Sequence, residues 1–98
     1  MKPLIKICGV NDLEILNELI MIDELNFVGF IFYQASPRNI TDSFLQKINK
    51  VDFQNKRPVC VYVNAPREVI QETSSYFKNP ILQFHGEETN DFCNSFNN

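Results

Sequence analysis

Histidine, a side chain that often binds transition metals, is scarce in this sequence. Its 98 residues include one histidine, His85, which excludes a metal site built from several histidines of one chain. The cysteines, Cys8, Cys60 and Cys93, are odd in number and have neither C-x-x-C nor zinc-site spacing. We therefore predict no metal, no cofactor and no disulfide framework. Free thiols fit a reducing compartment.

The sequence also lacks runs of positive charge and long apolar runs. Its net charge is −3 and it contains no basic patch, so we expect no nucleic-acid partner. No apolar stretch approaches the length of a membrane span, and the amino terminus lacks the features of a signal peptide. These features predict a cytoplasmic chain with no membrane partner.

What is present is the composition of a small globular domain. Hydrophobic residues make up 44% of the chain and charged residues 21%, which is typical of a folded protein rather than a disordered one. At 98 residues the chain can form one small core, and it contains no linker or low-complexity segment. We predict a single domain over residues 1–98.

Apolar periodicity predicts four successive β-α units. The predicted strands cover 3–8, 27–33, 58–64 and 80–86. We expect helices to start with an Asn11 cap, near Thr41, with Pro66 in the first turn of the third helix, and at Thr89. The second strand is apolar throughout, as in parallel sheets covered on both faces. The predicted fold class is therefore α/β with a parallel sheet.

Polar side chains recur where these strands end. Successive strand residues alternate faces, so Cys8 shares a face with Lys6 and His85 shares one with Gln83. Because the carboxyl ends of parallel strands carry the site in such folds, these residues predict a small-molecule site. The candidate site residues are Cys8, Arg38, Asn64, Gln83 and His85.

Each candidate also has a purely structural interpretation. Cys8 could be a small hydrophobe in a buried strand, and Arg38 a solvated loop charge. His85 could satisfy a turn, and Asn64 could start the third helix. The acidic pair at 87–88 suits the first turn of the last helix, where negative charge is favourable. The recurrence of polar residues at three strand ends and one loop favours the site.

The motifs behind these candidates occur in a fixed order. They are K-I-C-G-V at 6–10, V-G-F-I-F-Y at 28–33, S-P-R at 36–38, V-Y-V-N at 61–64 and L-Q-F-H-G-E-E at 82–88. Together they closely resemble the amino-terminal half of the phosphoribosylanthranilate isomerase family of tryptophan biosynthesis. The resemblance implies a partial (β/α)8 TIM barrel, a half-barrel of about four β-α units.

The resemblance also implies a reaction. It is the Amadori rearrangement of N-(5-phosphoribosyl)anthranilate to 1-(o-carboxyphenylamino)-1-deoxyribulose 5-phosphate. Cys8 would be the general base that takes a proton from the sugar carbon next to the anomeric carbon. A thiol does this as a thiolate, which a positive or dipolar environment favours. Arg38 would bind the anthranilate carboxylate at two points, and Gln83, His85 and Asn64 would line the pocket.

Parts of the family's site have no counterpart in these 98 residues. The family's general acid is an Asp on the fifth strand, and loops after strands seven and eight bind the phosphate. Without them we expect no activity from the chain alone, since proton donation of this kind contributes roughly 10²–10⁴ in rate. Three situations stay open: half of a split enzyme with a carboxyl-terminal partner chain, self-association into eight strands, or a non-catalytic remnant or interaction module.

A half-barrel also has surfaces that a closed barrel covers. Four strands leave two open edges, and open edges and apolar faces promote association. The sequence predicts that Ile31, Tyr33, Tyr62 and Ile81 belong to the barrel-lining face and would meet water.

Overall fold

The computed structural model describes residues 4–33, 39–86 and 88–95, in which strands and helices alternate. The elements are β1 (Lys6–Cys8), α1 (Leu13–Ile20), β2 (Phe27–Phe32), α2 (Asp42–Ile48), β3 (Arg57–Tyr62), α3 (Arg67–Ser74), β4 (Ile81–Phe84) and α4 (Asn90–Asn94). The strands pair in parallel in the order β1-β2-β3-β4. The predicted α/β class and its four units are confirmed.

The strand order places the helices on one face of the sheet. Parallel crossovers are nearly always right-handed, so a sheet that grows in one direction keeps its helices on one side. The core lies between the sheet and these helices, where Val28, Phe30, Cys60 and Tyr62 are fully buried. We call this the helix-facing side of the sheet.

Aromatic rings fill much of that core. The ring centroid of Phe30 lies 5.0 Å from that of Phe77 and 5.9 Å from that of Phe44. Phe32 stacks on Tyr62 with centroids 5.1 Å apart. These rings come from β2, β3, α2 and the segment after α3, so they join most of the sheet to the helices.

Strand residues alternate between the two faces, so the residues that neighbour the four fully buried strand residues in sequence point to the opposite, concave face. Strand register aligns Cys8 with Gly29, Ile31 with Val61, and Val61 with Gln83. The ammonium of Lys6 on β1 donates a 2.7 Å hydrogen bond to Oε1 of Gln83 on β4. In a flat sheet these two strands would be three spacings of about 4.8 Å apart, so this bond reflects a curved sheet.

The prediction that Tyr62 lines the barrel interior is wrong. Tyr62 does not face the barrel interior, because it shares its parity with Cys60 and is buried beneath the helices. Its hydroxyl lies 2.7 Å from Oγ1 of Thr73 and 3.4 Å from the carbonyl of Ile70, both on α3. Ile31 and Ile81 lie on the concave face as predicted.

The starts of α2 and α4 agree with the prediction. α3 begins at Arg67, so Pro66 is its cap rather than part of its first turn. The start of α1 also differs from the prediction. The cap is Asp12 rather than Asn11, since Asp12 has an extended backbone and its Oδ1 accepts from the amides of Glu14 and Ile15 at 2.8 and 3.3 Å. Thr41 and Thr89 cap α2 and α4 with their side chains. None of the helices in the described ranges has the length and apolar content needed to cross a membrane.

Candidate active site

Cys8 ends β1 with its thiol on the concave face. It pairs with Gly29 of β2, and a Cβ built on Gly29 would lie 2.8 Å from the Cys8 sulfur and 3.1 Å from its Cα. Side chains of paired residues point to the same face, so the sulfur lies over Gly29 rather than beneath the helices. The side chain of Cys8 is half-buried.

Gly29 therefore leaves the room that the Cys8 thiol occupies, and sequence reasoning did not identify it. Any larger residue would collide with the sulfur, because real Cβ contacts are longer than 3.0 Å. The available signal was a lone glycine inside an otherwise apolar strand, which often marks a close approach. We therefore add Gly29 to the candidate site, because the absence of a side chain there leaves space for the Cys8 sulfur.

A chain of hydrogen bonds crosses the concave face from β1 to β4. The Lys6 ammonium donates to the carbonyl oxygen of Gln83, and the amide nitrogen of Gln83 contacts Nε2 of His85. An ammonium can only donate, so it orients the Gln83 amide with its oxygen towards Lys6 and its NH₂ towards His85. The Gln83 side chain therefore links Lys6 to His85 across the concave face.

Asn64 follows β3 at the same edge of the sheet. It adopts a left-handed backbone with φ of 51°, a conformation in which asparagine is enriched. The alternative that Asn64 starts the third helix is wrong, because α3 begins at Arg67 with Pro66 as its cap. A Cβ on Gly86 would lie 2.5 Å from Asn64 Oδ1, so Asn64 contacts the turn after β4.

Arg38, the remaining predicted site residue, lies outside the described residues, as does Glu87. Asn39, the residue after Arg38, pairs with Ile31 near the end of β2. Four of the five predicted site residues are therefore located, and all four lie at or near the carboxyl ends of their strands.

Glu88 was predicted to complement the dipole of α4, but its carboxylate has a different role. Oε2 accepts a hydrogen bond from the backbone amide of Asn64 at 2.5 Å, and Oε1 accepts one from the backbone amide of Gly86 at 2.7 Å. The start of α4 is capped instead by Thr89, whose hydroxyl accepts from the Phe92 amide. Glu88 thus bridges the ends of β3 and β4.

The other two cysteines lie away from this face. Cys60 is fully buried on the helix-facing side, and burial raises the pKa of its thiol to about 12. Burial also raises the pKa of the Tyr62 hydroxyl beside it. Cys93 is a half-buried thiol on α4. In the described part of the chain, no three His, Cys, Asp or Glu side chains are grouped to hold a metal ion.

Comparison with known proteins identifies the family of this chain. The family model described as N-(5'phosphoribosyl)anthranilate (PRA) isomerase matches residues 5–98. The chain belongs to this family. The resemblance predicted from the sequence motifs is therefore confirmed.

Several bacterial PRA isomerases are close in sequence. The chain is 35% identical over 97 residues to the isomerase of Nitrosomonas europaea, covering 98% of this chain and 45% of that protein. It is 31% identical over 96 residues to that of Caldanaerobacter subterraneus subsp. tengcongensis, covering 96% and 45%. The chain thus spans a little under half the length of the curated relatives it matches.

Solved PRA isomerases have the same fold over this segment. The Thermotoga maritima enzyme superimposes with a TM-score of 0.80 at 31% identity, covering 94% of this chain and 44% of that one. A PRA isomerase in complex with reduced 1-(o-carboxyphenylamino)-1-deoxyribulose 5-phosphate gives a TM-score of 0.81 at 32% identity, covering 94% and 47%. The predicted half-barrel is confirmed by these partial matches.

Proposed function

We propose that this chain is the amino-terminal half of a PRA isomerase and needs a carboxyl-terminal half to act. The reaction is the rearrangement of N-(5-phosphoribosyl)anthranilate to 1-(o-carboxyphenylamino)-1-deoxyribulose 5-phosphate in the cytoplasm. The 98 residues form one structural unit that contributes one side of the substrate pocket.

The observation that carries this proposal is the placement of the Cys8 thiol. It ends β1 on the concave face, above the space left by Gly29 and two residues beyond Lys6. This is the carboxyl end of the strands, where TIM-barrel enzymes hold their catalytic groups. Cys8 serves as the general base that removes the proton from the sugar carbon next to the anomeric carbon.

The other candidates bind and orient the substrate. Arg38 pairs its guanidinium with the anthranilate carboxylate, for which a planar fork of donors is well matched. Gln83 and His85 present polar groups on the same face as Cys8, and Asn64 lies at the adjoining strand end. A substrate carrying both a carboxylate and a phosphate is consistent with the compound named for one structural neighbour.

The general acid and the phosphate-binding loops come from the second half. The described residues supply four strands, half the number in a TIM barrel. The ring-opening step needs a proton donor, and substrate positioning needs a phosphate site. The chain by itself therefore turns over no substrate.

Turnover with and without a supplied second half tests the proposal. The carboxyl-terminal half of the Nitrosomonas europaea isomerase is a suitable partner, since its own amino-terminal half is 35% identical to this chain. We expect activity only in the mixture. We expect Cys8→Ala to abolish it while leaving assembly intact, as measured by sedimentation.

Cys93→Ala is the matched control, because Cys93 is also half-buried but lies on α4. It should keep the activity of the mixture. Full turnover by Cys8→Ala would remove Cys8 from the mechanism. An assembled but inactive wild-type mixture would favour the alternative, a non-catalytic remnant or interaction module.

A further inference from the structure

The carboxylate of Glu88 joins two backbone segments that no longer pair with each other. Its oxygens accept from the amides of Asn64 and Gly86 at 2.5 and 2.7 Å. These amides lie just beyond β3 and β4, and His85 precedes Gly86. Hydrogen bonds from backbone amides to a carboxylate are about twice as strong as those between neutral groups.

The bridge begins where the regular sheet ends. The last aligned pair of β3 and β4 is Tyr62 with Phe84, and the His85 amide donates to the Tyr62 carbonyl at 2.9 Å. Asn64 then takes its left-handed conformation. A single carboxylate thus supplies acceptors to two solvent-exposed backbone amides that lie beyond the paired residues of β3 and β4.

Close packing accompanies the bridge. A Cβ on Gly86 would approach the Asn64 backbone nitrogen to 2.8 Å and its Oδ1 to 2.5 Å. The two strand ends can therefore come this close only because residue 86 is a glycine. Glu88 and Gly86 together determine the separation of these ends.

We propose that Glu88 is a positioning residue of the active site. By holding the Asn64 and Gly86 amides, its carboxylate fixes the end of β3 relative to the end of β4, and with it the positions of Asn64 and His85. The catalytic consequence rests on the proposed function, whereas the bridge itself belongs to the 98-residue chain.

Amide hydrogen exchange of the chain, followed by NMR, tests the bridge without an activity assay. In Glu88→Ala we expect exchange at Asn64 and Gly86 to accelerate at least tenfold, with amides of the central strands unchanged. Glu88→Gln has the same size but a single acceptor oxygen, so it should lose part of the protection. Glu72→Gln, an exposed change on α3, is the control and should alter neither amide.

Unchanged protection in both Glu88 variants would overturn the bridge. If Glu88→Ala unfolds, which accelerated exchange throughout the sheet would reveal, the same-sized Glu88→Gln decides the matter. Gly86→Ala gives an independent check, because its Cβ should separate the strand ends and expose both amides even with Glu88 present.

Kinetics of the assembled enzyme test the consequence for the site. We expect Glu88→Ala to raise KM about tenfold with a smaller change in kcat, and Glu88→Gln to recover part of the loss. Unaltered kinetics in a variant that has lost amide protection would overturn the positioning role. An inactive wild-type assembly would refute the proposed function instead, and the exchange data would still decide whether the bridge exists.

Discussion

Cys8 and Cys60 lie on opposite faces of the same sheet, because successive strand residues alternate between the two faces. Cys8 has the parity of Lys6 and lies half-buried on the concave face, whereas Cys60 is fully buried against the helices. Desolvation disfavours the thiolate, which is why the pKa of the Cys60 thiol rises to about 12. Cys60 is therefore a packing residue, and it makes the fold sensitive to alkali.

Stability should fall between pH 9 and 10 because of Cys60. Its pKa is about 12 in the folded chain and about 8.5 in an unfolded one, so over this range the unfolded state binds fewer protons. The contribution of the neutral Cys60 thiol to the free energy of unfolding is present below pH 8.5 and is lost as the pH rises towards 12. The expected slope for this group over this range is about −1 kcal/mol per pH unit, measured by urea unfolding.

Cys60→Ala should remove this slope. The substitution also removes packing, and this loss is measured separately as the difference in unfolding free energy between wild type and variant at pH 7. An identical slope in wild type and variant would assign the alkaline loss to other groups, with the buried hydroxyl of Tyr62 the first to examine.

At the scale of single elements, the start of α1 depends on which of two neighbouring polar residues caps it. Both Asn11 and Asp12 are good capping residues, so residue type alone does not decide between them. Asp12 is extended and accepts two amide hydrogen bonds from the first turn. The helix therefore starts at Leu13 and presents Leu16 and Ile20 to the core.

We expect Asp12→Ala to cost about 1 kcal/mol of unfolding free energy, the usual value of a lost cap. Asn11→Ala is the matched control and should cost much less, since Asn11 precedes the cap and is exposed. Chemical denaturation of the two variants measures both costs. A larger loss for Asn11→Ala would mean that the helix starts one residue earlier in solution.

At the scale of the whole molecule, most of the exposed large apolar side chains in the described residues belong to β1, α1 or the residues next to them. β1 is an outer strand of the sheet, and α1 follows it. The residues concerned are Leu4, Ile5, Ile7, Ile15 and Ile22, which are 74%, 41%, 38%, 50% and 42% exposed. A closed barrel would cover such a surface with its last unit, so we expect it to be the contact surface for a second half.

Ile15→Gln should weaken assembly with the carboxyl-terminal half about fivefold. The side chain is half-exposed in this chain, so its further burial is worth about 1 kcal/mol. Sedimentation of mixtures gives the dissociation constants. Val69→Gln is the control, because Val69 is 41% exposed but lies on α3, which follows β3 rather than β1. Equal weakening by both would argue against a contact at the β1 end.

Much of this architecture was predictable from local sequence. Apolar runs bounded by glycine, proline and asparagine define the four β-α units. The two-residue alternation within strands put Cys8 with Lys6 and His85 with Gln83. These features depend on residues that are close together in the chain, so the periodicity of the sequence is enough to predict them.

The tertiary structure decided the long-range contacts within the candidate site. Lys6 and Gln83 are 77 residues apart, and only the curvature of the sheet brings them within 2.7 Å. Likewise, the need for glycine at position 29 arises from the pairing of β1 with β2, and the role of Glu88 from the separation of β3 and β4. Such contacts join distant segments of the chain, so local periodicity cannot specify them, whereas packing of the sheet does.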